Sequence, residues 1–241
     1  MCGRFVLKTS LEQLQAIFGI QRVKFTQSPS YNIAPTQPVA AVVENAAGTR
    51  GLVPLKWGLV PPWATDASGA AKMINARSES VHDKPSFRDA FRQRRCLIPA
   101  DGFFEWKTGS KQPVYIYDAE EQPVAFAGIY SFWHNAQGER VDTCAILTTA
   151  ANSTIAGIHH RMPVILDPTA QQLWLRKSVQ QPDQLQPLLK AYPAERTAWR
   201  YVNPAVNKVR MNAPENILPY NPTASEPQQT ELLTDLFQSN S

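Results

Sequence analysis

Apolar residues recur at helical spacing in only a few short stretches of this chain. In "TSLEQLQAIFG", Leu11, Leu14, Ile17 and Phe18 share one face. Thr9 and Glu12 have capping-box spacing there, and Gly19 supplies a stop. In "SFRDAFRQRR", Phe87, Ala90 and Phe91 form a stripe behind Ser86 as cap. "ANSTIAGI" predicts a third short helix, and "DPTAQQLWLRK" a fourth, with Asp167 capping and Pro168 at the first helical position. Elsewhere the apolar pattern is that of strands. "YNIAPTQPVAAVV" passes from a proline-marked loop into a strand, and "GLVPLKWGLVPPWA" from a strand into a proline-rich loop tipped by Trp63. "CLIPADGFFEWK", "PVYIYD", "PVAFAGIY", "DTCAILTT", "RMPVIL" and "TAWRYVN" continue the series, with "DAEEQ" read as a hairpin loop. Many short strands with few short helices predict an α+β fold: a single compact domain built on a barrel-like, mostly antiparallel sheet with short peripheral helices.

Composition adjusts this picture little. With 241 residues, 43% of them apolar, and ten Phe, seven Tyr and six Trp, one substantial core is expected. Twenty prolines fit ordered loops and short helices. The domain is read as 2–220, followed by a flexible tail, 221–241, that opens with the polar "NPTASEPQQT". The tail then holds Leu232, Leu233, Leu236 and Phe237, and this cluster resembles the short peptides, ending in Leu-Phe, that bind replication sliding clamps. A net charge of +4 suits a polyanion partner and plain solubility alike. Three cysteines make no disulfide framework, and Cys96 and Cys144 lie in strand-like apolar runs that read as core. There is no CxxC, and the adjacent His159 and His160 lack the spacing that puts two ligands on one helix face. Neither a metal nor a cofactor is expected. No stretch is long and apolar enough to span a membrane and no leader is read, so a cytoplasmic location is expected.

The candidate chemistry sits in four polar clusters within apolar context: "MCGRF", "INARSES", "GFFEW" and "GIHHRMP". A small second residue generally permits removal of the initiator Met, which would leave Cys2 with a free α-amine beside its own thiol. Strand alternation places Glu105 on the side of Phe103, which favours a buried carboxylate with a raised pKa, although a solvated strand face reads equally well. One histidine of the pair could act as a general acid/base near neutral pH, with a structural histidine as the alternative. If "INARSES" is extended, Asn75 and Arg77 share a face and offer an amide and a phosphate-matching fork.

The blocks "MCGRF", "YNIAPTQ", "WGLVPPW", "INARSES", "CLIPADGFFEWK", "AILTTAAN" and "IHHRMPVIL", with "NPAVNKVRMNAPE" after them, resemble the SRAP (SOS response-associated peptidase) family in kind and order. The resemblance implies one α+β domain that shields abasic sites in single-stranded DNA by covalent attachment through Cys2. It implies catalytic roles for Cys2, Asn75, Glu105 and His159. It further implies phosphate contacts by Arg4, Arg77 and Arg161, and wedging or stacking at the lesion by Pro35 and Trp63. Slow reversal and weak lyase activity are expected alongside. Two other readings stay open. One is a cysteine-dependent peptidase or amidase using Cys2, Glu105 and His159. The other is a non-catalytic single-strand binder.

Overall fold

The computed structural model describes residues 2–26 and 28–223. The predicted sliding-clamp motif and nearly all of the predicted tail lie outside the described residues.

In chain order the strands and α-helices are β1 (Phe5–Leu7), α1 (Leu11–Phe18), β2 (Arg22–Val23), β3 (Ser30–Ile33), β4 (Pro38–Glu44), β5 (Arg50–Trp57), β6 (Asn75–Arg77), α2 (Arg88–Gln93), β7 (Arg95–Ala100), β8 (Gly102–Trp106), β9 (Pro113–Asp118), β10 (Val124–His134), β11 (Arg140–Ala150), β12 (Arg161–Pro163), α3 (Pro168–Leu175), α4 (Pro182–Leu185) and β13 (Thr197–Tyr201). Strands β11, β10, β7, β4 and β5 pair in sequence, and β5 returns parallel to β11 at Lys56↔Thr143 and Trp57↔Cys144. The result is a five-stranded closed barrel, which pairs the edges an open sheet would leave bare. A second, antiparallel sheet runs β13-β9-β8-β1-β3. The fold is thus the expected α+β domain, and among the described residues no helix is long and apolar enough to cross a membrane.

Aromatic side chains join the two sheets. Phe5 and Phe103 of the second sheet meet Trp57 and Phe126 of the barrel edge-on, at centroid distances of 5.3 Å for Phe5–Trp57, 5.9 Å for Phe5–Phe126 and 6.0 Å for Phe103–Phe126. Alternation sends Val6, Phe104 and Tyr115 to the opposite face, where they form a smaller cluster with Val202 and Val206.

Several local readings are corrected. The cap of α1 is Ser10 with Gln13, not Thr9 with Glu12, because the Thr9 hydroxyl donates to buried Asp101 at 2.6 Å. Ile17 is 48% exposed, while Leu14 and Phe18 are buried. Ser86 does not cap α2; Phe87 occupies that position without a side-chain bond. "ANSTIAGI" forms turns rather than a helix, because the Asn152 side chain accepts from Ile155 N–H at 3.2 Å and competes for the backbone. "DAEEQ" closes no hairpin: β9 belongs to the second sheet and β10 to the barrel. Similarly, "CLIPADGFFEWK" breaks at Asp101 into β7 and β8, one in each sheet. Asp167 and Pro168 open α3 as expected.

Gly58 turns the chain from β5 into the Trp63 loop with φ of 134°, and a Cβ there would lie 2.8 Å from the Ala70 carbonyl oxygen. Gly58→Ala is expected to cost about 1–3 kcal/mol, read as a lower denaturation midpoint in urea. An unchanged midpoint would contradict this account of the turn.

Candidate functional site

The site forms where the chain's first residues meet the second sheet. Phe5 faces Phe103 and Val6 faces Gly102 in antiparallel register, and the Arg4 carbonyl accepts from Phe104 N–H at 2.9 Å. Carried back, the same register sets Gly3 opposite Glu105, so Cys2 begins beside that carboxylate. Cys2 is fully buried, with Sγ 4.0 Å from the Arg4 carbonyl. Burial, and then the negative charge of Glu105, push its thiol pKa well up. Glu105 is itself buried on the Phe103 side of β8, and burial raises its pKa against the opposing charges of the amino terminus and His160.

Asn75 reaches this place from the barrel. Strand β6 runs parallel to β11, with Asn75 opposite Ile146 and Arg77 opposite Thr148. The Asn75 amide donates to the Cys2 carbonyl at 2.8 Å. Its Oδ1 is buried and, among the described residues, accepts no hydrogen bond.

His159 arrives on the turn after Ile155, held near the end of β8 because Thr108 N–H donates to the Ile158 carbonyl at 3.3 Å. Its Nδ1 lies 3.0 Å from the Arg161 N–H and 3.1 Å from the Arg161 carbonyl oxygen. The neutral ring accepts from that N–H and keeps its proton on Nε2; the charged ring donates from Nδ1 to that carbonyl. Both protonation states therefore have a partner, as acid/base work requires. Burial lowers the His159 pKa, which favours the neutral ring at pH 7. His160 is exposed and stacks on His159 with centroids 4.4 Å apart.

Such a cluster of cysteine, amide, carboxylate and imidazole suits ordered proton transfers around a nucleophile held at the head of a strand. A family model for the SOS response associated peptidase (SRAP) matches residues 1–209. The chain belongs to the SRAP family. Among SRAP relatives, "Abasic site processing protein YoqW" of Bacillus subtilis is 40% identical over 222 residues, covering 90% of this chain and 99% of that protein. "Abasic site processing protein YedK" of Escherichia coli is 31% identical over 91% of this chain and 100% of its own length. A crystal structure of a protein from Bacteroides thetaiotaomicron superposes with a TM-score of 0.83 at 27% identity, covering 91% of this chain and 100% of that one.

The remaining expected SRAP positions divide into inward and outward side chains. Arg77 is exposed. Trp63 is 66% exposed on its loop, which Trp133 anchors by donating from Nε1 to the Ala64 carbonyl at 2.7 Å. Half-buried Pro35 lies on the loop joined to β5 by the Thr36 N–H bond to the Trp57 carbonyl at 2.8 Å, so the Pro35 and Trp63 loops depart from one strand end. Arg4 and Arg161 instead turn inward. Arg4 Nη1 donates to Asn32 Oδ1 at 2.8 Å and to the Val206 carbonyl at 3.1 Å. Arg161 forms a two-pronged pair with Glu79, at 2.6 and 2.9 Å, and also reaches Thr148.

Glu79 and Asn32 went unread in the sequence. Asn75, Arg77 and Glu79 alternate, which is the signal by which Glu79 could have been found. Asn32 carried no such signal, because the carbonyls that accept from its amide lie more than 170 positions away.

Proposed function

We propose that this SRAP-family chain processes abasic sites in single-stranded DNA, and that Cys2, freed of Met1, joins the lesion as a thiazolidine. What carries the reading is the meeting of Cys2 with Asn75 and Glu105 at the head of β1, in a family whose relatives are named for abasic-site processing.

An abasic deoxyribose is mostly a closed ring in equilibrium with its open aldehyde. In its charged form His159, held by its Nδ1 bond to the Arg161 carbonyl, donates the Nε2 proton to the ring oxygen as the C–O bond breaks, and the neutral ring then takes up the proton released by the C1′ hydroxyl as the aldehyde forms. The Cys2 α-amine attacks the aldehyde carbon; a C–N bond forms, water leaves, and an imine results. The Cys2 thiol then adds to the imine carbon. A C–S bond forms, the thiol proton passes through Glu105 to the nitrogen, and a five-membered ring closes. The order suits the site, because burial and the Glu105 charge keep the thiol protonated until Glu105 accepts its proton. The Asn75 Oδ1 acceptor fits a sugar hydroxyl. The same steps run backwards release DNA, and an imine that fails to close eliminates the 3′ phosphate, which accounts for weak lyase activity. The peptide bond between Met1 and Cys2 is the bond on which a peptidase activity of this site would act, by self-cleavage.

On the DNA side, exposed Arg77 takes a phosphate, while Arg4 and Arg161 add positive potential and brace the frame. Trp63 offers a stacking face that tolerates any base, and Pro35 wedges beside it. Trp63→Ala is expected to weaken capture of an oligonucleotide with one abasic site at least about fivefold at subsaturating DNA, since stacking contributes about 1–3 kcal/mol per base. The same variant should retain its full rate at saturation. The proposal as a whole is tested by intact mass after incubation with that oligonucleotide: a heat-stable adduct equal to protein plus DNA minus water is expected, and its absence would refute the reading.

A further inference from the structure

We infer that the loop 207–212, "NKVRMN", is a second anchoring point for the DNA strand, holding phosphates that flank the lesion through Lys208 and Arg210. The inference rests on the abasic-site reading for its substrate, and on the construction of this loop for its place.

The loop is fastened to both strands that carry the chemistry. Asn207 Oδ1 accepts from Trp106 Nε1 at 2.6 Å, one residue from Glu105. The Val206 and Asn207 carbonyls accept from the Arg4 guanidinium at 3.1 and 3.4 Å, two residues from Cys2. Asn32 is buried, and its amide donates to the carbonyls of Val206, Lys208 and Met211 at 3.1, 3.2 and 2.8 Å. Asn212 Oδ1 accepts from Tyr31 N–H at 2.6 Å and closes the far end on β3. Carbonyls drawn inward in this way turn the alternate side chains out. Lys208 and Arg210 are exposed, and among the described residues neither makes an ion pair or a side-chain hydrogen bond. Val209 and Met211 between them stay 44% and 39% exposed.

Two outward cations on a rigid base, with Glu215 the sole acid between 203 and 220, fit a polyanion rather than a protein salt-bridge partner. One arginine side chain, that of Arg4, joins the start of this loop to the backbone two residues from Cys2. A strand whose abasic sugar lies at Cys2 therefore passes this loop on one side of the lesion. The apolar pair offers sugar and base edges a surface with no sequence readout.

The test compares wild type with Lys208→Ala/Arg210→Ala, using oligonucleotides with one abasic site and five nucleotides on each side, or with either flank removed. Adduct rates at subsaturating DNA should fall about tenfold for the long oligonucleotide at 200 mM NaCl. The slope of log rate against log salt should flatten by about 1.4, from about 0.7 per lost phosphate contact on a single strand. The rate at saturating DNA and the melting temperature should not change, and the defect should vanish when one particular flank is removed. Equal rates and slopes for variant and wild type on the long oligonucleotide would overturn the inference. Should wild type form no adduct at all, the abasic-site reading fails. Fluorescence anisotropy with a lesion-free single strand then decides the loop on its own, by whether the variant's affinity and salt slope are reduced or match wild type.

Discussion

Cys2→Ala is expected to abolish the heat-stable DNA adduct, a fall of at least about 10³-fold in its rate of formation. Alanine keeps the α-amine and so permits the imine, but it lacks the sulfur that closes the ring. The closure is intramolecular, and well-oriented reactions of that kind reach effective molarities of about 10⁵ M or more, which no thiol in solution matches. The imine that remains either hydrolyses or eliminates, so strand cleavage replaces capture. Folding should survive, because the change removes one small buried sulfur with a long contact to the Arg4 carbonyl. The measurement is intact mass and denaturing electrophoresis after heating. A normal adduct from Cys2→Ala would remove the thiol from the mechanism. Cys96 and Cys144 offer no substitute, since burial within the core raises both thiols.

Glu105→Gln is expected to slow adduct formation by about 10²–10⁴-fold, the range for loss of a positioned acid/base group, while raising stability at neutral pH. Burial holds the Glu105 pKa above its unfolded value. For a carboxyl shifted upward, the folded state binds the proton more tightly than the unfolded one. Stability then declines as pH rises through the interval between the two pKa values, and stays lower above it. Glutamine carries no such cost. The variant should therefore melt above wild type at pH 7, by about 2–4 °C for each kcal/mol recovered in a domain of this size. The difference should close as pH falls below about 4.3, where the unfolded carboxylate also protonates. A melting temperature below wild type at pH 7 would mean that the charge at Glu105 stabilises the fold, and would contradict the burial argument. An unchanged adduct rate would take Glu105 out of the proton path.

Periodicity in the sequence was enough to read the fold class and most of the strands, because each buried stretch must satisfy its own alternation whatever its neighbours. Caps were read less well. Thr9 met the spacing rule for α1, yet Asp101, far along the chain, claims its hydroxyl. "DAEEQ" carries ordinary turn chemistry, yet it connects two sheets, since sheet membership depends on which distant strands pair with β9 and β10. The placement of Glu105 on the Phe103 side of β8 followed from its two-residue offset from Phe103; that both faces of β8 are covered did not. The inward turn of Arg4 and Arg161 did not, because exposure of a guanidinium depends on which carboxylates and carbonyls the fold brings within reach.

By itself the sequence determined the barrel-like α+β character, the cysteine at position 2, and the set of polar groups from which a site could be drawn; these follow from local pattern and from the order of short motifs. Tertiary structure alone decided which of those groups meet, which arginines spend their forks within the protein, and that the loop at Lys208 is tied beside Cys2 and Glu105. Such contacts join residues up to about two hundred positions apart, and the free energy that selects them comes from packing and buried hydrogen bonds, which no local window of residues records.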